Sequence, residues 1–160
     1  MGNKALIYKQ KVSDNLKESY KHLSRLNTAF MELEKSYTFL IDTESFKSIL
    51  ESNQDLAYSD QVIYRFSKLQ DTMGAKLFKS VLLHQGENVN RPFLDILNQL
   101  ERIDIINVDE WFEIRDLRNE IAHDYDDSDN IAMNILNMIY KLKDELEKIL
   151  NSITCLIERD

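Results

Sequence analysis

Four residues with chemically useful side chains cluster near the C-terminal end of one predicted helix. Arg118, Asn119, His123 and Tyr125 lie within the stretch RNEIAHDY. Imidazole exchanges protons near neutral pH, and the permanently charged guanidinium stabilises anionic oxygens. These groups suit RNA cleavage without a metal: the ribose 2′-hydroxyl attacks phosphorus, His123 moves a proton, and Arg118 stabilises the phosphate. Asn119 is placed to orient the phosphate or the imidazole.

Helix geometry separates two of these side chains. At about 100° per residue, Arg115, Asn119 and His123 form one stripe that faces away from the apolar residues of the same helix. Arg118 lies about 140° from His123 on an ideal helix, so the two cannot both point straight at one small ligand. A bend, a long side chain or a second subunit must help. A twofold axis through this helix would bring two copies of each into one cleft, which predicts a homodimer.

Surface ion pairing is the simpler alternative for the same residues. In that interpretation His123 is an ordinary surface residue, and the two arginines pair along a solvated helix face with Asp116, Glu120 or Asp124. A zinc or iron site is disfavoured because the three histidines fall in different segments without helical ligand spacing. The acidic stretch after Tyr125 lacks the glycine and terminal glutamate of a calcium loop. We therefore expect no metal and no cofactor.

The composition predicts one helical domain, residues 1–160. Three glycines and one proline, beside 43% apolar and 30% charged residues, leave few turn signals and favour long elements. No leader-like segment or apolar run of roughly 20 residues is present, so we expect a cytoplasmic protein without a membrane contact. The single cysteine, Cys155, is interpreted as a small core residue. The net charge of −8 argues against broad capture of nucleic acid, so any RNA site must be local.

Apolar residues spaced by three and four predict an antiparallel bundle of about five helices. Ser13 and Asp14 resemble a helix start, but the apolar stripe continues through them, which favours one long N-terminal helix. Asn107 and Glu110 resemble a capping box at the start of the motif helix. The predicted helices cover about 4–41, 46–50, 62 to Gly86, Asn90 or Pro92 to 104, a motif helix from 107, and 129–158.

The stretch RNEIAHDY resembles the arginine, four residues, histidine, one residue, tyrosine motif of the HEPN superfamily, particularly its HepT-like branch. Arg118, His123 and Tyr125 match this motif directly. The segment IYRFSKLQDTMGAKLFKSVL is similar to the family helix that carries an arginine–phenylalanine pair. The segment DEWFEIRDLRNEIAHDY resembles the family's motif helix with its tryptophan. The resemblance covers roughly residues 58–150.

The resemblance implies a dimeric helical bundle whose two motif helices face each other across a cleft. In active members such a cleft cuts RNA without metal, so Arg118 and His123 would be catalytic and Asn119 supportive. HepT-like proteins also commonly pair with a small nucleotidyltransferase of the MNT type, which in some cases transfers AMP to the motif tyrosine. Tyr125 is the candidate acceptor by that match. The bulky anion added there would compete with an RNA phosphate.

Three functions follow for testing. The first is a HepT-like ribonuclease, the toxin of a toxin–antitoxin pair that a nucleotidyltransferase regulates. The second is a catalytically silent HEPN protein that binds a nucleotidyltransferase as a substrate-binding or antitoxin component. The third is a plain helical bundle in which the motif is a coincidence. Loss of RNA cleavage in His123→Ala with an intact fold would distinguish the first function from the other two.

Overall fold

The computed structural model describes residues 2–124 and 128–159, and these residues form helices and no strand. The predicted all-α bundle is therefore confirmed. A π-helical turn, Met73–Leu77, joins two of the helices into one continuous element. The α-helices of the described residues are α1 (Gly2–Glu34), α2 (Thr43–Glu51), α3 (Asn53–Thr72), α4 (Phe78–His84), α5 (Phe93–Arg102), α6 (Val108–Asp124) and α7 (Asp129–Arg159).

One hydrophobic core holds these helices together. The long helix α1 packs along α3 and α4, while α7 contacts α1 and α6 from another side and α6 lies against α3. Removing apolar side chains from water is the main favourable contribution to such packing. The largest side chains with almost no exposure are Trp111, Phe30, Phe66 and Phe78. Two of these, Phe78 and Trp111, pack against each other near the start of α6.

The N-terminal helix ends at Glu34, before the predicted end near residue 41. The following residues leave the helix because their aromatic side chains pack better in another conformation. Phe39 stacks on Tyr140 of α7 with ring centroids 4.7 Å apart. The Ile41 amide donates to Asn137 Oδ1 at 2.9 Å, and Asn137 Nδ2 donates to the Ile41 carbonyl at 3.0 Å. Tertiary contacts therefore override the three-and-four spacing that sequence alone shows here.

Several helix ends follow the sequence signals. Asp42 accepts the Ser45 amide at the start of α2, and Asn107 Oδ1 accepts the Glu110 amide at 3.0 Å at the start of α6. Gly86 follows α4 with a φ of 83°, the left-handed conformation expected after a helix. The helix predicted to start at residue 62 starts earlier, since α3 begins at Asn53.

The last helix confirms its predicted apolar stripe, with Ile135, Ile139 and Ile153 buried against the core. Cys155 is exposed, so its interpretation as a core residue is wrong. It lies two positions beyond Ile153, about 200° around the helix from that buried residue, and therefore faces outward. No helix among the described residues, α7 included, combines the length and apolar character needed to cross a membrane.

Candidate functional site

The position of α6 on α3 and α4 is fixed by two contacts. Near the start of α6, the Trp111 ring packs edge-on against Phe78, with centroids 4.6 Å apart. Two turns later, Arg118 reaches back to Asp71 of α3. The partners run in opposite directions along the two elements, so α6 is antiparallel to the continuous element formed by α3, the π turn and α4. Continuing this register places His123 at about the level of Phe66.

Arg118 is held by a two-point contact with Asp71. Its Nε donates to Oδ1 and its Nη2 donates to Oδ2, each at 3.1 Å. The guanidinium plane is thereby fixed, since two parallel hydrogen bonds define its orientation. The side chain of Arg118 retains 27% exposure and that of Asp71 47%. Pairs this exposed contribute at most about 1 kcal/mol, so the contact orients the arginine more than it stabilises the fold.

Arg115 has a different partner, the Phe93 ring at the start of α5. Its guanidinium carbon lies 5.3 Å from the ring centroid, within range of a cation–π interaction. Neither arginine forms an ion pair with Asp116 or Glu120, the described acids that the ion-pairing alternative named; the third, Asp124, has a side chain outside the part of the chain that the structure describes. Each arginine contacts a neighbouring helix, and both lie on the side of α6 that faces α3 and α5.

His123 and Asn119 are exposed, as the spacing along α6 predicts. Neither side chain has a hydrogen-bond partner among the residues that the structure describes. On an ideal helix His123 lies about 140° from Arg118. The flank of α6 on which His123 lies also carries three exposed acids. Those acids are Glu113, Asp116 and Glu120. One protomer therefore presents Arg118 and His123 on different flanks of α6.

Tyr125, the predicted AMP acceptor, lies outside the described residues, as do Asp126 and Asp127. The helix α6 is described up to Asp124, so the tyrosine follows the end of the described helix directly. Its assignment remains the prediction made from the motif.

A groove of about 320 Å³ opens beside the Arg118–Asp71 pair, and we call it the Phe93 groove. One wall comes from the π turn, one from the start of α5 and one from α6. Sequence reasoning identified Arg115 as part of the motif face but missed the groove itself. The signal that was available is Gly74 inside a helical pattern, which often marks a close approach of another element. The lining residues are Gln70, Asp71, Gly74, Ala75, Lys79, Phe93 and Arg115.

The arginine–phenylalanine pair noted in α3 consists of Arg65 and Phe66, and both side chains pack inside the bundle. Phe66 is fully buried, while Arg65 Nη1 lies 2.9 Å from His22 Nδ1. Burial and the adjacent Arg65 charge lower the pKa of His22, which favours a neutral imidazole that accepts from Arg65. This contact joins α1 to α3 and is not part of the Phe93 groove. Within residues 2–124 and 128–159, no cluster of three or more potential metal ligands occurs.

No protein-family model, curated protein or solved structure matches the chain. The candidate site therefore consists of what the residues themselves present. These are an oriented arginine, an exposed histidine one and a half turns further along α6, and an adjacent groove with cationic and aromatic walls.

Proposed function

We propose that the protein is a metal-independent endoribonuclease of the HEPN type, active as a homodimer. We further propose that it is the toxin of a toxin–antitoxin pair whose partner is an MNT-type nucleotidyltransferase. The observation that carries the proposal is Arg118, whose guanidinium Asp71 orients at two points on the helix that also exposes His123. A fixed cation and an imidazole are the two groups that phosphodiester transfer needs, and a dimer would bring them to the same phosphate.

The reaction proceeds by attack of the ribose 2′-hydroxyl oxygen on the adjacent phosphorus. The bond from phosphorus to the 5′-oxygen of the next nucleotide breaks, leaving a 2′,3′-cyclic phosphate and a 5′-hydroxyl. His123 removes the 2′-hydroxyl proton or protonates the departing 5′-oxygen. Arg118 stabilises the extra negative charge on the phosphoryl oxygens, and Asn119 supports the phosphate or the imidazole.

Local charge supports RNA as the substrate despite the net charge of −8. Arg115 and Arg118 share one flank of α6, and Lys79 on α4 adds a third cation at the Phe93 groove. Three exposed acids of α6, Glu113, Asp116 and Glu120, lie on the other flank. A phosphate backbone is therefore attracted to one face of the molecule, where counterion release favours binding, and repelled from the neighbouring one.

The separation of Arg118 from His123 supports a composite site. The two residues are about 140° apart around α6 and about 7.5 Å apart along it, so a phosphate seated on Arg118 is not directly in front of the same chain's His123. A twofold axis beside α6 would bring His123 of the other protomer to the phosphate on Arg118. Each dimer then has two sites, each built from Arg118 of one chain and His123 of the other.

A specific observation also favours a second function, a nucleotidyltransferase-binding protein without catalysis. Within one protomer Arg118 is engaged by Asp71 and His123 has no partner among the described residues. In this role the exposed C-terminal end of α6, with Tyr125 beyond it, is the docking point. Purified protein of this kind would cut no RNA.

The direct test incubates the purified protein with total RNA in EDTA and analyses the fragments and their 3′ ends. We expect wild type to produce cyclic phosphate ends and Arg118→Ala and His123→Ala to produce none. Arg25→Ala is the matched control because it removes an equally charged, exposed side chain on a different helix, α1. Absence of cleavage by wild type would reject the ribonuclease and favour the binding role.

Subunit mixing tests the composite site. Arg118→Ala and His123→Ala protomers are unfolded together and refolded as an equal mixture. If Arg118 and His123 act across the dimer, each heterodimer regains one intact site, and the mixture recovers about a quarter of wild-type activity by random pairing. If both residues of a site came from one chain, the mixture would stay as inactive as its parents.

A further inference from the structure

We propose that the Phe93 groove binds a nucleobase of a single-stranded RNA, next to the phosphate that Arg118 contacts. In this assignment the Phe93 ring stacks on the base, the Gln70 amide hydrogen-bonds to its edge, and Lys79 and Arg115 contact flanking phosphates. The inference rests on the proposed function, because the strand in the groove is the one that the dimer would cut. It adds a substrate-positioning subsite that the motif does not contain.

Gln70 is the polar group that points to a ligand with donors and acceptors. Its residue is only 7% exposed, yet it lines the groove. Its side-chain amide has no hydrogen-bond partner among residues 2–124 and 128–159. Although most of the residue is buried, its amide is open to the groove and is therefore available to a ligand that binds there. Because an amide offers both a donor and an acceptor, it matches the hydrogen-bonding edge of a nucleobase.

Phe93 and Arg115 supply the surface against which a planar ligand packs. The Phe93 ring is half-buried on the core side and lines the groove on the other. The Arg115 guanidinium lies 5.3 Å from the centre of that ring. Unpaired bases of RNA stack on aromatic rings and on arginine planes, and such stacking tolerates any base.

The charges at the groove fit a phosphate backbone. Lys79 is exposed and has no acidic partner among the described residues, so its ammonium is available to an anion. Asp71 is the one carboxylate of the lining, and Arg118 offsets its charge through two hydrogen bonds. Arg115 adds a further positive charge. The groove is therefore cationic on balance and is continuous with the Arg118–Asp71 pair.

The π turn gives the groove its shape. Gly74 and Ala75 of this turn line the wall, and the missing side chain of Gly74 and the single methyl group of Ala75 leave the space open between Gln70 and Phe93. Single π turns within α-helices are frequent at functional sites, where the extra residue redirects neighbouring side chains. The volume of about 320 Å³ is at the lower end of the roughly 300–1,000 Å³ typical of small-molecule sites. It suits one base better than a larger ligand.

Binding is measured separately from cleavage, using full-length protein carrying His123→Ala so that the RNA stays intact. Fluorescein-labelled hexauridylate and hexaadenylate are titrated by anisotropy at two salt concentrations. In this background Phe93→Leu, which keeps apolar volume but removes the ring, should weaken binding roughly 5- to 100-fold. Phe112→Leu is the matched control, because Phe112 is another half-buried ring on the core that does not line the groove. It should change binding less than twofold.

Two further variants separate the roles. Lys79→Ala should reduce the slope of the logarithm of the binding constant against the logarithm of salt concentration by about one. Lys141 is an exposed lysine on α7, and Lys141→Ala should leave that slope unchanged. Gln70→Leu should bring the dissociation constants for the two RNAs closer together, because the contact to the base edge is lost. Thermal melts of each variant establish that its fold is retained.

The outcomes distinguish this inference from the proposed catalysis. RNA binding that depends on Phe93, in a protein that never cuts RNA, supports the groove and rejects the ribonuclease. Cleavage by wild type with equal RNA affinity for Phe93→Leu and Phe112→Leu overturns the groove and leaves the ribonuclease standing. A competition experiment adds unlabelled uridine or adenosine monophosphate, or unlabelled hexamers, to the labelled RNA complex. If the monophosphates displace the labelled RNA at the same concentrations as the hexamers, the RNA assignment of the groove is overturned, since the site would then bind free nucleotides.

Discussion

Gly74→Ala is expected to destabilise the protein, although replacing glycine by alanine in a helix is ordinarily favourable. The ideal Cβ at position 74 lies 3.3 Å from Trp111 Cζ2 and 3.4 Å from Gln70 Nε2. Trp111 has no exposed surface, and Phe78 packs against its ring, so the indole has little room to move. The new methyl group must therefore strain a close-packed wall.

The expected size follows from two opposing contributions. Alanine gains about 1 kcal/mol over glycine in a helix interior. Forcing an extra carbon into a packed core costs about 1–3 kcal/mol. The net prediction is a free energy of unfolding lower by about 1 kcal/mol. A change toward greater stability would mean that the Trp111 ring shifts freely and that the wall is not rigid.

A double-mutant cycle with Trp111→Phe isolates the clash. Phenylalanine lacks the Cζ2 atom, and the substitution sacrifices no hydrogen bond because Trp111 Nε1 has no partner among the described residues. In that background Gly74→Ala should become stabilising by about 1 kcal/mol, which gives a coupling of about 2 kcal/mol. An equal effect of Gly74→Ala in both backgrounds would refute the reasoning.

Urea unfolding followed by far-ultraviolet circular dichroism suits all four proteins. Trp111 is the only tryptophan, so the two proteins that carry Trp111→Phe would give no tryptophan fluorescence. The protomer concentration must be the same throughout, because self-association makes the apparent stability depend on it. Equal slopes of free energy against urea would show that the four unfolding transitions are comparable.

Two other substitutions test contacts away from the site. Asn137→Ala should lower the free energy of unfolding by about 2 kcal/mol, because it leaves both the buried Ile41 amide and carbonyl unpaired. Asn134 is exposed on the same helix, so Asn134→Ala should lower the free energy of unfolding much less in the same urea experiment. Burial and the nearby Glu110 carboxylate raise the pKa of Glu145 above its usual 4.5, so its contribution to stability is present at low pH and is lost as pH rises through the folded-state value. Glu145→Gln should therefore be more stable than wild type by about 0.5–1 kcal/mol at pH 7 and equal to it near pH 4; a constant difference across that range in pH-dependent melts would contradict this cause.

The sequence predicted those parts of the fold that depend on local spacing and capping. The apolar stripe of α7 and the caps at Asn107 and Gly86 are set by residues close together along the chain, and the structure agrees with them. The end of α1 depends on Phe39 packing against Tyr140, about a hundred positions away. No pattern within residues 35–41 could reveal that contact.

The candidate site likewise has features that local spacing predicts and features that depend on distant contacts. Exposure of His123 and Asn119 on α6 follows from helical spacing, and the structure agrees. The partner of Arg118 does not follow, because Asp71 is 47 positions earlier and meets it only through the antiparallel register of α3 and α6. Nearby acids on α6 are the natural expectation from sequence, yet Arg118 points away from them toward α3.

The two flanks of α6 give the acidity of the chain a physical role in the proposed reaction. A strand approaching the His123 flank meets Glu113, Asp116 and Glu120. Arg118 lies about 140° around the helix from His123, and Arg115 lies between the two, with its guanidinium against Phe93 of α5. RNA is thus directed to the arginine flank, and its scissile phosphate arrives at a position that the same chain's imidazole does not face. Catalysis then requires the second protomer, so dilution below the dimer dissociation constant should abolish cleavage while RNA binding to the Phe93 groove persists. A monomer that still cleaves would show instead that one α6 helix suffices.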